Sequence, residues 1–158
     1  MTGQLAIYVG MLHHAEQTLA ESFQVVARTH AAEAEVFAAC RLLAAMSEQH
    51  VRLLQPVADR YGEVAAGADV EEPERLHASG VAEGREGPVG LLRDLQDLHV
   101  LGTLVQTTWT VVLQAAQALR DAELIDLAER ANQSTSRQLA WLNTELKVAA
   151  PQALLASP

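Results

Sequence analysis

Cysteine and aromatic residues are scarce in this sequence of 158 residues, and basic residues are outnumbered by acidic ones. The single cysteine, Cys40, excludes an internal disulfide and indicates a reducing compartment. Eleven basic against twenty acidic residues give a formal charge of −9. Nucleic acids and anionic membranes are bound through basic patches, so we expect neither as a partner. Aromatic residues make up only 4% of the chain, which favours helices over sheets.

The first eleven residues are apolar, but they lack the preceding Lys or Arg and the small-residue cleavage pattern of a secretory signal peptide. The sequence therefore predicts a cytoplasmic protein. Its length fits one domain, residues 1–158, which is large enough to bury a core without disulfides.

Residues 98–119 form a stretch of 22 residues without a single Lys, Arg, Asp or Glu. A stretch of about 20 apolar residues can cross a bilayer, but glutamines and threonines are spread through this one. Its apolar residues recur at steps of three and four, the spacing of one helix face. We therefore predict a helix of a soluble bundle, buried on most of its circumference, and no membrane partner.

The same apolar spacing occurs in three further segments. The predicted helices are residues 3–28, 32–60, 89–119 and 122–149, with a linker at residues 61–88. Pro56 is expected to kink the last turn of the second helix or to begin a new one. Short turns make two antiparallel hairpins, so the predicted fold is all-α: a four-helix bundle of two hairpins joined by a long crossover.

The linker is rich in glycine, proline and acidic residues. This composition predicts a solvated segment without packed structure, apart from one helical turn at residues 74–78. His77 in this segment is not expected to bind a ligand. Docking of a partner through the acidic charge is the less favoured alternative.

Several polar residues fall at one level of the bundle when positions are counted outward from the two hairpin turns. On the first helix His13 stands beside Glu16. On the second helix Met46 and Ser47 fall opposite Glu16, and His50 lies one turn further along. Polar groups in a bundle core are costly unless they are paired or bind a ligand. The predicted polar layer comprises His13, Glu16, Ser47, His50, His99, Gln106, Thr135 and Gln138.

The helix lengths, the long crossover and the central Glu16 resemble the ferritin-like superfamily. The C-terminal runs QLAWL at residues 138–142 and AAPQAL at residues 149–154 are similar to small actinobacterial ferritin-like proteins of unassigned function. The resemblance implies a ferritin-like bundle. In the di-iron members of the family, two helices each provide a Glu and the other two each provide a Glu-x-x-His pair.

This chain departs from that di-iron pattern on three of its helices. Glu16 matches on the first helix, but Ser47 stands where the second helix should carry the Glu that precedes His50. The third helix has no carboxylate within residues 98–120. On the fourth helix Glu129 begins a segment with the Glu-x-x-His spacing, but Asn132 stands in place of the His. One carboxylate and one or two imidazoles do not hold two iron ions, so we expect no ferroxidase activity.

Three interpretations of the polar layer stay open. We favour a buried hydrogen-bonded pair of Glu16 and His50, because buried polar groups are normally satisfied in this way. Alternatively, His13, Glu16 and His50 bind one divalent metal ion. The third interpretation is a pocket for a small apolar ligand or haem, with His50 or His99 as the axial group. Cys40, Trp109 and Trp141 are expected to serve packing.

The predicted function is that of a structural or protein-interaction module, and no catalytic residue or cofactor is assigned. A helix as uncharged as the third one should not face water, so we predict a homodimer through residues 98–119. Its interface would bury some of Thr103, Thr107, Thr110, Val111 and Gln114. The competing hypothesis is a metal-dependent enzyme or metal-storage protein that uses His13, Glu16 and His50.

Overall fold

Four long helices make up most of the structure, a computed structural model that describes residues 3–65 and 79–156. The described residues contain no strand, so the predicted all-α four-helix fold is confirmed. No helix within these two ranges combines the length and the hydropathy of a membrane-spanning segment. The helices are α1 (Gly3–Thr29), α2 (Ala34–Ala65), α3 (Gly87–Leu119) and α4 (Ala122–Pro151), and a wider helical turn, Gln152–Ala156, follows α4.

Helix α2 is longer than its sequence pattern suggests. It continues through Pro56 and ends at Ala65. A proline removes one backbone hydrogen bond from a helix, but the residues beyond it, Val57 and Tyr61, are buried. Their packing accounts for the continuation of α2 past the proline.

The turn between α3 and α4 is built by two adjacent residues. Arg120 has a left-handed backbone conformation, with φ of 57°, and its N–H bonds back to the end of α3. Asp121 then caps α4, since its carboxylate accepts the N–H of Leu124 at 3.2 Å. This cap satisfies a backbone donor that would otherwise lack a partner.

Contacts at the two ends of the bundle define its topology. The hairpins α1–α2 and α3–α4 pack as two pairs. At one end His30, after α1, contacts Asp94 near the start of α3. At the other end Tyr61, late in α2, contacts Asp121 between α3 and α4. Helices α2 and α3 therefore run in the same direction, and the chain between them joins opposite ends of the bundle, as the predicted crossover requires.

One continuous hydrophobic core is formed by the inner faces of the four helices. Trp109 and Phe23 are its largest fully buried side chains. The predicted inner stripe of α1 is buried at every position: Leu5, Val9, Leu12, Glu16, Leu19, Phe23 and Val26. Cys40 is also in this core, where burial and then the charge of Glu145 raise the pKa of its thiol to about 12. Cys40 therefore acts as a small packing residue, as predicted.

The last part of the crossover, residues 79–86, packs against α1, so the prediction of an unpacked linker is wrong for this part. Val81 is buried, and its N–H donates to Ser22 Oγ at 3.0 Å. Gly80 has a φ of 69°, and a Cβ there would lie 2.5 Å from Ser22 Oγ, so only glycine fits. The helical turn predicted at residues 74–78 and His77 lie outside the described residues.

The outer side of α3 is not covered within one chain. Its inner face is buried as predicted, but Thr103, Thr107, Thr110 and Gln114 are exposed, and Val111 is 49% exposed. These are the side chains that the charge-free stretch assigned to a homodimer interface. Burial of α3 on most of its circumference would therefore need a second molecule.

Candidate functional site

A carboxylate and an imidazole meet in the centre of the bundle. Glu16 on α1 and His50 on α2 are both buried, and Glu16 Oε2 lies 2.6 Å from His50 Nδ1. The antiparallel pairing of α1 with α2 brings both residues to one level of the bundle. The contact expected between these two residues is therefore present.

The electrostatics of this pair are set by burial. Burial raises the pKa of Glu16, while the hydrogen bond and charge of His50, together with the indole of Trp109, act in the opposite direction. Among the described residues no Arg or Lys forms an ion pair with this carboxylate. Burial and the imidazole of His50 thus act in opposite directions on the pKa of this carboxyl, and burial has the larger effect.

Trp109 on α3 closes the polar layer on a third side. Its indole ring meets the imidazole of His50 edge-on, with ring centroids 6.2 Å apart and planes at 77°. Its N–H also acts on the Glu16 carboxyl, whose pKa it lowers. Trp109 therefore brings α3 to the polar pair that joins α1 to α2.

Helix α4 provides the other half of the layer. Gln138 is fully buried, and its amide donates to Ser47 Oγ at 2.9 Å and to the carbonyl of Leu43 at 3.0 Å. Ser47 stands where the di-iron pattern would carry Glu, and here it accepts a hydrogen bond from α4. Buried Thr135 donates to the carbonyl of Ala131 within its own helix. Glu16–His50 thus joins α1 to α2, and Ser47–Gln138 joins α2 to α4.

Gln106 and His99 form no hydrogen bond with another member of the predicted polar layer. Gln106 is half-buried and donates to Ser136 Oγ at 3.2 Å near the surface, so its predicted inward position is wrong. The inner positions of α3 at this level are Val105 and Trp109, and successive helix residues are turned by about 100°. His99 is half-buried.

The three residues proposed as metal ligands are not gathered into one set. Glu16 and His50 contact each other, whereas the Nε2 atom of half-buried His13 is buried without a hydrogen-bond partner. Over residues 3–65 and 79–156, no three or more His, Cys, Asp or Glu side chains are arranged to hold a metal ion. Binding of one metal ion by His13, Glu16 and His50 stays a prediction that would require His13 to move.

A second buried histidine–carboxylate pair lies at one end of the bundle. His30 Nε2 is 2.8 Å from Asp94 Oδ2. Asp94 also accepts the backbone N–H of Arg85 at 2.9 Å and its guanidinium at 3.2 Å. The same guanidinium bonds to exposed Asp97 at 2.9 Å. This cluster fastens the end of the crossover to α1 and α3.

From its charge, and like its neighbours Arg93 and Asp97, Asp94 would be expected on the outer face of α3, but the crossover covers that part of the helix. Its side chain is fully buried. A signal was present in the sequence, since Asp94 lies four residues before Leu98 and three after Leu91, on one helix face with both. Its partners lie at sequence separations of 9 and 64 residues, which a helical period does not reveal.

The same end of the bundle holds an acidic groove of about 500 Å³. It is lined by His30, by apolar side chains and by the carboxylates of Glu33, Glu35 and Glu145. Burial and then the charge of Glu35 raise the pKa of Glu145. The groove therefore disfavours anions.

Comparison with known proteins found no counterpart for this chain. No protein-family model matches it, and no curated protein and no solved structure matches it either. What is established is an all-α bundle of four helices.

Proposed function

We propose that this protein is a non-catalytic scaffold of the ferritin-like type that works as a homodimer. The observation that carries the proposal is the 2.6 Å contact between Glu16 Oε2 and His50 Nδ1. The two side chains best suited to metal or acid–base chemistry are thereby engaged with each other inside a closed core. Their contact holds α1 against α2, which is a structural role.

The ferritin-like part of the proposal is supported by topology. Two antiparallel hairpins are joined by a connection that links opposite ends of the bundle. A Glu lies at the middle of α1, and Ser47 and His50 lie at the matching level of α2. These are the positions at which the di-iron pattern has its ligands. The observed contacts fit a bundle that keeps this helix topology but has a hydrogen-bonded layer in place of the metal ligands.

The dimeric part of the proposal is supported by the surface of α3. Residues 98–119 carry no charge on a chain with a formal charge of −9, and the outer side chains of this stretch are exposed in the single chain. Like charges repel two copies of an acidic protein, so a neutral face is where a second copy can approach most easily.

Sedimentation analysis over a range of micromolar concentrations tests the dimer directly. We expect the wild-type protein to sediment as a dimer and Thr107→Arg to sediment as a monomer, since Thr107 is exposed on the neutral face. Ala38→Arg adds the same charge at an exposed position of α2 and should leave the dimer intact. A wild-type monomer throughout this range would contradict the proposal.

Metal analysis separates the scaffold from the competing metal-binding function. Protein purified without chelator should contain no stoichiometric iron, zinc or manganese, and chelator should leave its melting temperature unchanged. Stoichiometric metal that is lost in both Glu16→Ala and His50→Ala would overturn the scaffold function in favour of a metal site. Matched loss in His13→Ala would then identify the third ligand.

A further inference from the structure

We propose that two copies of this chain associate through antiparallel packing of α3 on α3, with Thr107 of one copy beside Thr110 of the other. This inference rests on the proposed homodimer and specifies its interface. The two-fold axis would cross α3 between these residues, so each copy would present the same surface to the other.

The exposed side of α3 has the spacing of a helix-pairing seam. Its outermost residues follow one another at alternating steps of three and four, the spacing of a and d positions in a coiled coil. The seam is about 26 Å long at 1.5 Å per residue. All of its members are exposed in the single chain: Val100, Thr103, Thr107, Thr110, Gln114 and Gln117.

The hydroxyl groups of three threonines in the seam already donate hydrogen bonds within α3. The hydroxyl of Thr103 donates to the carbonyl of His99 at 2.8 Å. Thr107 and Thr110 donate in the same way to carbonyls of their own helix, each at 3.0 Å. Because their donors are already used, covering these side chains leaves no hydroxyl proton without an acceptor. The seam can then pack against a second copy through the methyl groups of these threonines.

Charge favours the antiparallel direction over the parallel one. Arg93 is exposed, occupies the seam position one heptad before Val100, and forms no ion pair with any described residue. Parallel packing would place the two copies of Arg93 opposite each other. In the antiparallel register, Val100 lies opposite Gln117, and the two copies of Arg93 lie at opposite ends of the seam. This direction keeps the two like charges apart.

Disulfide cross-linking distinguishes the register. The antiparallel register pairs position 103 with position 114 of the second copy. An equimolar mixture of Thr103→Cys and Gln114→Cys proteins should therefore form a mixed disulfide dimer under mild oxidation. Each protein alone should not, because its two cysteines would lie about 16 Å apart along the helices. Wild-type protein, whose only cysteine is buried Cys40, is the control.

The outcomes separate this inference from the proposed function. Disulfide dimers of Thr103→Cys with itself would indicate parallel packing and overturn the antiparallel arrangement. A wild-type dimer in sedimentation without any cross-link through α3 would also overturn it, while the homodimer itself would stand. A wild-type monomer would overturn both.

Discussion

Glu16 Oε2 and His50 Nδ1 lie 2.6 Å apart in the core, and within the described residues no Arg or Lys pairs with this carboxylate. Each of the two groups therefore depends on the other for its buried hydrogen bond. Removing one partner of such a pair is more costly than its net contribution suggests, because the remaining group stays buried and unpaired. The contact thus explains why a polar pair can persist in a core of leucine and valine.

Truncation of Glu16 should destabilise the bundle more than an isosteric change. Glu16→Ala leaves the imidazole of His50 unpaired and opens a cavity, so we expect a loss of about 3 kcal/mol in the free energy of unfolding. Glu16→Gln retains an oxygen that can accept from Nδ1, and should lose about 1 kcal/mol. Urea denaturation at pH 7 measures both. Equal losses would show that the hydrogen bond contributes little.

The pH dependence of stability should also change in Glu16→Gln. Burial raises the pKa of Glu16 above its ordinary value of 4.5, so the folded state binds more protons than the unfolded state between 4.5 and the raised pKa. The contribution of Glu16 to the free energy of unfolding is therefore greatest at low pH. It is lost as the pH rises through that window.

Urea denaturation of both proteins from pH 8 to pH 5 tests this dependence. The difference in stability between wild-type protein and Glu16→Gln should shift in favour of the wild type as pH falls into the window. A constant difference over this range would contradict a raised pKa.

The contacts within the hairpins could be predicted from the sequence, because helical periodicity fixes which residues share a face and antiparallel counting fixes their level. These two rules place Met46 and Ser47 opposite Glu16 and His50 one turn further along, so they predict the Glu16–His50 contact to within one helical turn. The contacts of the crossover could not be predicted in this way. Val81 binds Ser22 at a separation of 59 residues, and Asp94 gains Arg85 as a partner from the crossover. Such contacts depend on how an irregular segment is placed over the helices, which no periodicity encodes.

Asp94 should be essential for holding the crossover on the bundle. Asp94→Ala leaves His30 and the backbone N–H of Arg85 without their buried acceptor, so we expect a loss of about 3 kcal/mol in the free energy of unfolding. The amide of Val81, bonded to Ser22, should then exchange faster with solvent. Asp97→Asn removes the exposed carboxylate that binds Arg85, and should cost less than about 1 kcal/mol.

Hydrogen exchange separates local release of the crossover from general destabilisation. If Val81 is released locally, its amide should lose more protection in Asp94→Ala than the amides of α4 do. Equal loss of protection in both places would contradict the role of Asp94 as a local fastening.

Two glycines provide a test of how closely α3 and α4 pack. Gly10 lies exposed within α1, and an added Cβ there meets no atom within 4 Å. Gly10→Ala should therefore stabilise the protein by about 1 kcal/mol through helix propensity alone.

At Gly102 on α3 the added Cβ would lie 2.9 Å from Leu139 Cδ2 of α4. The same propensity gain is then opposed by crowding against Leu139, so Gly102→Ala should be less stable than Gly10→Ala by about 1 kcal/mol or more. Urea denaturation of both variants measures the difference, and equal stabilisation would mean that Leu139 moves aside freely and that α3 and α4 are not in tight contact at this level.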